Sequence, residues 1–395
     1  MFQRIRRFFS WRRVFVLEIF PTHIYATLFK FQQGEKFIKP IGSFFSESIL
    51  DPTALSDEIR KSFKKLVKFR PSKVQCVLSV DSSYATTVHM PISLIRDTPH
   101  THIDETDLHN KVAQGIWRLF DKQRGLVAAK MNIRDVDVVL TDASVGNIKI
   151  DGHRVVNPMG FPARSIEVHF TQTFMPKQFL SYLKDAFPKV GLTVERGVTV
   201  VDILRRSISS TGFLLAELSE NSTSFFFYDG SAISHIETIR WGTRSFLDAL
   251  CKSFAVSEYV ADEMLNRYLL GSLSSRMQKE FEEIFVNESS LFGSSLKDFL
   301  QKYNLSTVYV IGSSGDSLPS FIFGGFFKSK IAGKVNILPA DIKSVVEKLG
   351  FDVDFDAKMD LPHLFSSLSA LIEFYFINQN DRINKVARRH AHWLA

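Results

Sequence analysis

Two segments far apart in the chain carry one pattern, and this duplication constrains the fold more than any other feature. Val14–Phe45 reads VFVLEIFPTHIYATLFKFQQGEKFIKPIGSFF, and Gly212–Gly242 reads GFLLAELSENSTSFFFYDGSAISHIETIRWG. Each opens on a short apolar run closed by an acid, Glu18 or Glu217. Each then turns, runs a second apolar strand, turns at Gly34 or Gly230, and runs a third. Apolar runs rich in β-branched and aromatic residues, separated by turn residues, are strand and hairpin signals. A meander written twice predicts two related lobes whose acids face a shared cleft. Neither copy has a glycine directly after its acid.

The stretches around the meanders read as α/β. Leu55, Ile59, Phe63 and Val67 share one helical face after Asp51-Pro52, and Leu108, Val112, Ile116 and Phe120 share another. Strands are predicted over Val74–Val80, Val136–Asp142, Ser165–Thr171, Leu192–Val194 and Val308–Ile311, with a hairpin at Asp151-Gly152 inside Ile148–Val156. Met90-Pro91 through Pro99 reads as irregular. Helices are predicted over Lys177–Phe187 and Val200–Ser209, then through most of residues 243–303, and from Leu361 onward. The 37 Phe read mainly as core packing. Strand meanders crossed by helices, with no low-complexity linker, predict two packed lobes of related fold.

Two cysteines, Cys76 and Cys251, leave no room for a disulfide framework and fit a reducing compartment. No apolar run approaches the roughly 20 residues that span a bilayer, and the N-terminus does not read as a signal peptide. Charge is localised. Residues 1–70 hold 14 Lys/Arg against six Asp/Glu, a net +8 in a chain whose total is +7. A basic end on a neutral body points to an anionic surface.

Both termini have the composition of interfacial anchors. In the first, Phe2, Ile5, Phe8, Phe9 and Trp11 interleave with Arg4, Arg6, Arg7, Arg12 and Arg13, which predicts contact with lipid ahead of a solvated arm, and either ahead of nucleic acid. In the second, Ile383, Val386, His390, Trp393 and Leu394 fall on one helical face, with Lys385, Arg388 and Arg389 elsewhere. This second helix has two expected places: on a membrane, or packed against its own domain.

The stretch Val139–Ser207, above all Val156-Asn157-Pro158-Met159-Gly160, resembles the FtsA family of bacterial cell-division proteins, within the actin-like ATPase superfamily. The PilM family of pilus-assembly proteins is the alternative resemblance. The resemblance implies an α/β actin-like two-lobed fold of duplicated RNase H-like domains with a small FtsA-type insert domain. It assigns residues 1–13 to an arm, 14–83 and 166–208 to a first subdomain, and 84–165 to the insert. Residues 209–240 and 306–377 make a second subdomain, 241–305 a helical one, and 378–395 a basic tail. It implies a peripheral scaffold on the inner face of the cytoplasmic membrane. Such a scaffold tethers an FtsZ-like filament protein and self-associates through the insert. The alternatives are a PilM-like adaptor of pilus or secretion assembly and a slow actin-like ATPase.

Family members hold ATP and Mg²⁺ with two tight turns, an acid and a Gly-rich adenosine loop. Glycine is needed in the turns because a Cβ blocks close approach of the backbone to phosphate. Where the family has D-I-G-T-S, this chain has Glu18-Ile19-Phe20-Pro21-Thr22, and Pro21 also removes a donor. Where the family has D-I-G-G-G-T-x-D, it has Glu217-Leu218-Ser219-Glu220-Asn221-Ser222-Thr223-Ser224. Ile311-Gly312-Ser313-Ser314-Gly315 keeps the third element. The resemblance thus gives Glu18, Glu217, Ser222, Thr223, Gly312, Ser313 and Gly315 as residues of a degenerate nucleotide cleft, with no catalytic residue and no hydrolysis. In the ATPase alternative, Glu18 and Glu217 position Mg²⁺ or water.

Two acidic clusters are not read as metal sites. His100, His102, Asp104, Asp107 and His109 fit no closed zinc pattern, and Asp104 and Asp107 suit a helix start. Asp352, Asp354, Asp356 and Asp360 imitate a calcium loop, but Ala357 stands where glycine is needed. Alternation with Phe351, Val353 and Phe355 predicts a strand there instead.

Overall fold

The computed structural model describes residues 11–32, 36–46, 52–68, 73–187, 190–208, 212–230, 232–312, 336–355, 361–378 and 382–393. The first meander is β1 (Trp11–Ile19), β2 (Ile24–Gln32) and β3 (Phe37–Ser46), followed by α1 (Pro52–Leu66) and β4 (Val74–Val80). Next come β5 (Thr86–Ile95), α2 (Glu105–Met131), β6 (Val138–Ile150), β7 (His153–Val155) and β8 (Ser165–Pro176). They lead to α3 (Lys177–Ala186), β9 (Val190–Glu195) and α4 (Arg196–Ser207). The second meander is β10 (Phe213–Leu218), β11 (Thr223–Tyr228) and β12 (Ile233–Ile239). Four helices follow: α5 (Arg244–Phe254), α6 (Glu258–Leu269), α7 (Ser275–Glu288) and α8 (Ser290–Tyr303). The remainder is β13 (Thr307–Gly312), β14 (Asn336–Pro339), α9 (Ile342–Lys348), β15 (Asp352–Val353), α10 (Leu361–Asn378) and α11 (Arg382–Trp393).

The chain divides into two compact units. The first holds Met1–Ile203, Val346–Met359 and Ser366–Ala395; the second holds Leu204–Val345 and Asp360–Phe365. In the first unit a six-stranded sheet runs β15-β3-β2-β1-β4-β9, with β1 antiparallel to β2 and parallel to β4. In the second, a five-stranded sheet runs β12-β11-β10-β13-β14, with β10 antiparallel to β11 and parallel to β13. The two meanders are therefore one topology used twice. Glu18 and Glu217 occupy the same place, one residue before the end of the strand that joins the meander to the parallel half.

The periodic faces bury where their spacing directs them. Leu55, Ile59 and Val67 join Phe15, Leu17 and Leu78 in the core of the first sheet, with Phe63 packed against it. The second unit is packed largely by aromatics. Phe225 stacks on Phe292 (centroids 5.9 Å) and meets Phe299 edge-on at 4.9 Å, while Phe246 meets Phe285 at 5.0 Å. Such pairs favour offset or edge-to-face contact because of the ring quadrupole. Much of the chain's phenylalanine is spent here.

A further sheet in the first unit runs β5-β8-β6-β7 and is covered by α2. Here the structure corrects the sequence. Met90-Pro91, read as irregular, lies inside β5, paired with Phe170 and His169. β5 is an edge strand, where a proline without an N–H is tolerated. β6 is one strand rather than two separate ones, with register slips at Leu140/Asp142 and Val145/Ile148. Asp104 caps α2, accepting from Asp107 N at 2.7 Å. Gly115 lets α2 approach the sheet, since a Cβ there would lie 2.6 Å from the Phe170 ring.

α11 belongs to this same module. Val386, Ala387 and Ala391 are buried in the core made by α2, β6 and β8, with Ile383 packed against it. Asn384 Oδ1 accepts from Val145 N at 2.6 Å, beside one of the slips in β6. Arg388 Nε lies 3.4 Å from Asp142 Oδ1.

Candidate functional site

The residues expected to bind nucleotide start from Glu18. Its carboxylate is fully buried at the carboxyl end of β1, beside Arg196 at the start of α4. Arg196 Nε stands 3.4 Å from Glu18 Oε1 and donates to Ser366 Oγ at 2.9 Å, while Ser367 Oγ donates to Glu18 Oε2 at 2.5 Å. The guanidinium lies over the ring of Phe20, 4.6 Å from its centroid, and Phe20 also stacks on His23 at 4.2 Å. Phe20 stands where the family places its first glycine. Here it provides the aromatic wall of a buried ion pair.

The turn bonds its leading N–H to itself. Phe20 N–H is bonded to the His23 carbonyl at 3.0 Å, and Pro21 has none. The second meander closes in the same way, with Ser219 N–H bonded to the Ser222 carbonyl at 2.8 Å. Its other carbonyls are taken by the start of α5: Thr243 N donates to Ser219 O at 3.0 Å and Arg244 N to Glu220 O at 2.8 Å. Gly242 allows this packing, since a Cβ there would sit 2.3 Å from Ser219 O. The Glu220 carboxylate is held by Arg244 at 3.2 Å, which also binds Glu258 at 2.8 Å. Thr223 donates its hydroxyl to the Trp241 carbonyl at 2.8 Å.

Glu217 is buried, one residue before the end of β10, and Gly312 ends β13 opposite Leu218. Ser313 and Gly315 lie outside the described residues. The residues present therefore fit poorly to a triphosphate with its Mg²⁺. One acid is neutralised by an arginine, and each turn bonds its leading N–H to its own carbonyl.

Three charged residues at this end of the sheet were not singled out from sequence. Asp81, just past β4, accepts from Ser83 N (2.9 Å) and Ser83 Oγ (2.6 Å). Glu195 ends β9 and accepts from Thr87 N at 2.5 Å. Arg196 follows it. The available signal was an acid and an arginine directly after an apolar strand. A second was the run Ser366-Ser367-Leu368-Ser369 within an otherwise apolar helix, since buried serines imply polar partners.

Burial pushes Glu18 up to about 7, against the opposing pull of Arg196 and the Ser367 and Ser366 hydroxyls. Glu195 is also raised to about 7 by burial, and Asp142 to about 6 despite Arg388. His23 is lowered to about 4, by burial and then by Arg196. A carboxyl raised on folding binds more protons folded than unfolded, so its contribution is lost as pH rises through the window between the two values. Glu18 and Glu195 therefore make the protein less stable as pH rises from about 4.5 to 7, and Asp142 does so from about 4 to 6, while His23 and His390, both lowered by burial, oppose them below about 6.5. We expect Glu195→Gln to flatten this dependence. Its stability relative to the parent should rise by on the order of 2 kcal/mol between those limits in urea titrations. Equal slopes for the two proteins would show that Glu195 is not buried as an acid.

The expected membrane residues divide. Phe2, Arg4, Ile5, Arg6, Arg7, Phe8 and Phe9 lie outside the described residues. The arm expected over residues 1–13 gives way to strand at Trp11, because Trp11, Arg12 and Arg13 pair with Gln32, Phe31 and Lys30. Trp11 and Arg12 remain exposed. Of the C-terminal set, Val386 is buried, Ile383 is half-buried, Arg388 faces Asp142, and Arg389 is exposed. Val386 thus faces the core rather than a free surface, because α11 completes the module around α2 and β6. Trp393 ends α11, and Leu394 lies outside the described residues. No helix among the described residues is long and apolar enough to cross a membrane. The calcium-like segment forms only the short strand β15, with Asp354 paired to Lys39; Asp356 and Asp360 lie outside the described residues.

No family profile matches the chain, and no curated protein matches it. Solved structures do. The chain is similar to one in a PilM–PilN type IV pilus biogenesis complex, with a TM-score of 0.56 and 14% identity, over 92% of this chain and 98% of that one. It is also similar to the ethanolamine utilization protein EutJ from Carboxydothermus hydrogenoformans (TM-score 0.43, 10% identity, 91% and 90% covered). A third is MreB5 of Spiroplasma citri bound to ADP (0.41, 9% identity, 94% and 99% covered). At these identities the likeness is one of fold. The protein has the actin-like ATPase fold.

Proposed function

We propose that the protein is an actin-fold scaffold that holds a partner protein at a membrane surface without hydrolysing nucleotide. The observation that carries this reading is the buried Glu18–Arg196 pair, capped by Phe20 and bound by Ser366 and Ser367. An acid neutralised in this way is poorly suited to recruit a divalent cation, and the turns beside both acids have no glycine through which phosphate can approach.

In its more specific form the scaffold is of FtsA type, tethering an FtsZ-like filament protein on the inner face of the cytoplasmic membrane. The passage Asn157–Gly160 supports that form. Self-association through residues 84–165 is part of the same reading. It is supported by exposed Ile95, Val156, Met159 and Phe161 on that module, whose two loops are joined by the bonds Ile103 N to Phe161 O and Gly160 N to Ile103 O. A second reading, an adaptor of pilus or secretion assembly, is favoured by the likeness to the PilM–PilN complex.

Calorimetric titration with Mg·ATP is expected to give no micromolar binding and no phosphate release. Micromolar binding weakened by Glu217→Ala would overturn the non-hydrolysing reading in favour of a slow ATPase. Capture on an immobilised FtsZ tail peptide, set against a short peptide of a PilN-type protein, separates the two scaffold readings.

A further inference from the structure

α4 and α10 each belong in part to both compact units. α4 begins in the first unit, from Arg196 to Ile203, and ends in the second, from Leu204 to Ser207. α10 begins in the second unit, from Leu361 to Phe365, and continues in the first from Ser366 onward. The side chains gathered around Glu18 lie on these two passages. Arg196 is the first residue of α4, and Ser366 and Ser367 are the first residues of α10 inside the first unit. Arg196 Nε donates to Ser366 Oγ at 2.9 Å, a direct bond from one passing helix to the other. Both helices are also fixed to β1. α4 is held by the 3.4 Å contact of Arg196 with Glu18, and α10 by the Ser367 hydroxyl, which donates to Glu18 and lies 3.3 Å from Thr27 Oγ1 of β2.

Arg196 stands at the wrong end of α4 to stabilise that helix. A helix N-terminus carries the positive pole of the macrodipole, so a cation in the first turn is disfavoured there. A buried ion pair also gains little over apolar side chains of the same volume, because both charges have given up their water. Glu18, Arg196, Ser366 and Ser367 are all buried. Local stability therefore accounts poorly for an arginine at this position. What the cluster supplies, and apolar groups would not, is direction. One guanidinium meets an acid of β1 and a hydroxyl of α10, and hydrogen bonds of this kind fix both distance and angle. In a buried setting such bonds are stronger than in water.

We infer that Glu18, Arg196, Ser366 and Ser367 form a hinge clamp, which ties α4 to α10 where the chain passes between the units and restrains the movement of the second unit about those helices. The proposal rests on the reading that no nucleotide is held beside Glu18, and deepens it by giving the same residues a conformational role. Ser366 is the member that separates this role from the ion pair. Ser366→Ala breaks the bond between the two helices and leaves Glu18 with both Arg196 and Ser367.

The test uses the full chain with Cys251→Ser and spin labels on Lys122→Cys in the first unit and Lys297→Cys in the second. Both lysines are exposed, and the remaining Cys76 is buried. Double electron–electron resonance then reads the spread of distances between the labels. Ser366→Ala should broaden that spread. It should also speed hydrogen exchange in α4 and α10 together by about tenfold, the worth of a hydrogen bond to a charged group. Thr199→Val removes another buried bond of α4, from Thr199 Oγ1 to the Glu195 carbonyl at 2.9 Å, and should leave the spread unchanged. Thermal midpoints confirm that each variant is folded. Equal spreads for Ser366→Ala and the parent would overturn the clamp. Equal broadening by Thr199→Val would overturn it too, since any loosening of α4 would then suffice. Adding Mg·ATP to the parent tests the underlying reading separately. A spread that shifts with nucleotide would overturn that reading, whereas the comparison of variants is made without nucleotide and judges the clamp alone.

Discussion

Arg196→Met is expected to destabilise the first unit by about 3 kcal/mol at about pH 8, the usual cost of leaving one member of a buried ion pair behind. Glu18 has no water to turn to, since it is fully buried. Its remaining partners are hydroxyls, Ser367 and Ser366, which solvate a carboxylate less well than a guanidinium does. The variant should therefore take up a proton on Glu18. Because the neutral acid is cheaper to bury as pH falls, the loss should shrink by roughly 1 kcal/mol near pH 6. The double variant Glu18→Gln/Arg196→Met removes both charges and should recover much of the stability. The difference between the single and double losses is the coupling that a mutant cycle reads. Urea unfolding of the four proteins at the two pH values tests this directly. Equal stability of Arg196→Met and parent at both would mean that the pair contributes nothing, and the strongest argument against a cation beside Glu18 would be gone.

The duplicated architecture was legible because its signals are local. An apolar run, an acid, a turn and two more strands are written contiguously, and their order fixes a 3-2-1-4 arrangement once the first strand is joined in parallel by the next one. The helix was visible from Asp104 to Phe120 by its four-residue spacing, but its continuation to Met131 was not. What replaced the nucleotide chemistry was only half legible. The missing glycines could be read directly. The group that neutralises Glu18 could not, because Arg196 is brought to it by the pairing of β4 with β1 on one side and β9 on the other. Ser366 and Ser367 come from still further along the chain. Sequence can show that a phosphate no longer fits a turn; which side chain holds the acid instead depends on sheet order and register. β5 was missed for a related reason. A proline argues against a strand unless the strand is known to be an edge, and that follows from the topology rather than from the residues beside it.

The same distinction governs the C-terminal helix, for which a second large effect is expected. Its amphipathic face fits a membrane or a core equally well from sequence, since both reward the same apolar stripe. In the structure Ala387 and Ala391 are fully buried and Val386 nearly so. Ala387→Glu would force a carboxylate into that core with no cation built to meet it, and should cost about 3–5 kcal/mol or unfold the module. Lys385→Glu, on the exposed face of the same helix, changes charge without entering the core and should fall within about 0.5 kcal/mol of the parent. Hydrogen exchange locates the effect. Protection should be lost in α2, β6 and β8, which share their core with α11, and kept in β10, β11 and β13 of the second unit. If Ala387→Glu leaves α2 and β6 fully protected, the helix is an appendage that leaves the sheet at little cost, and its apolar face is available to a membrane after all.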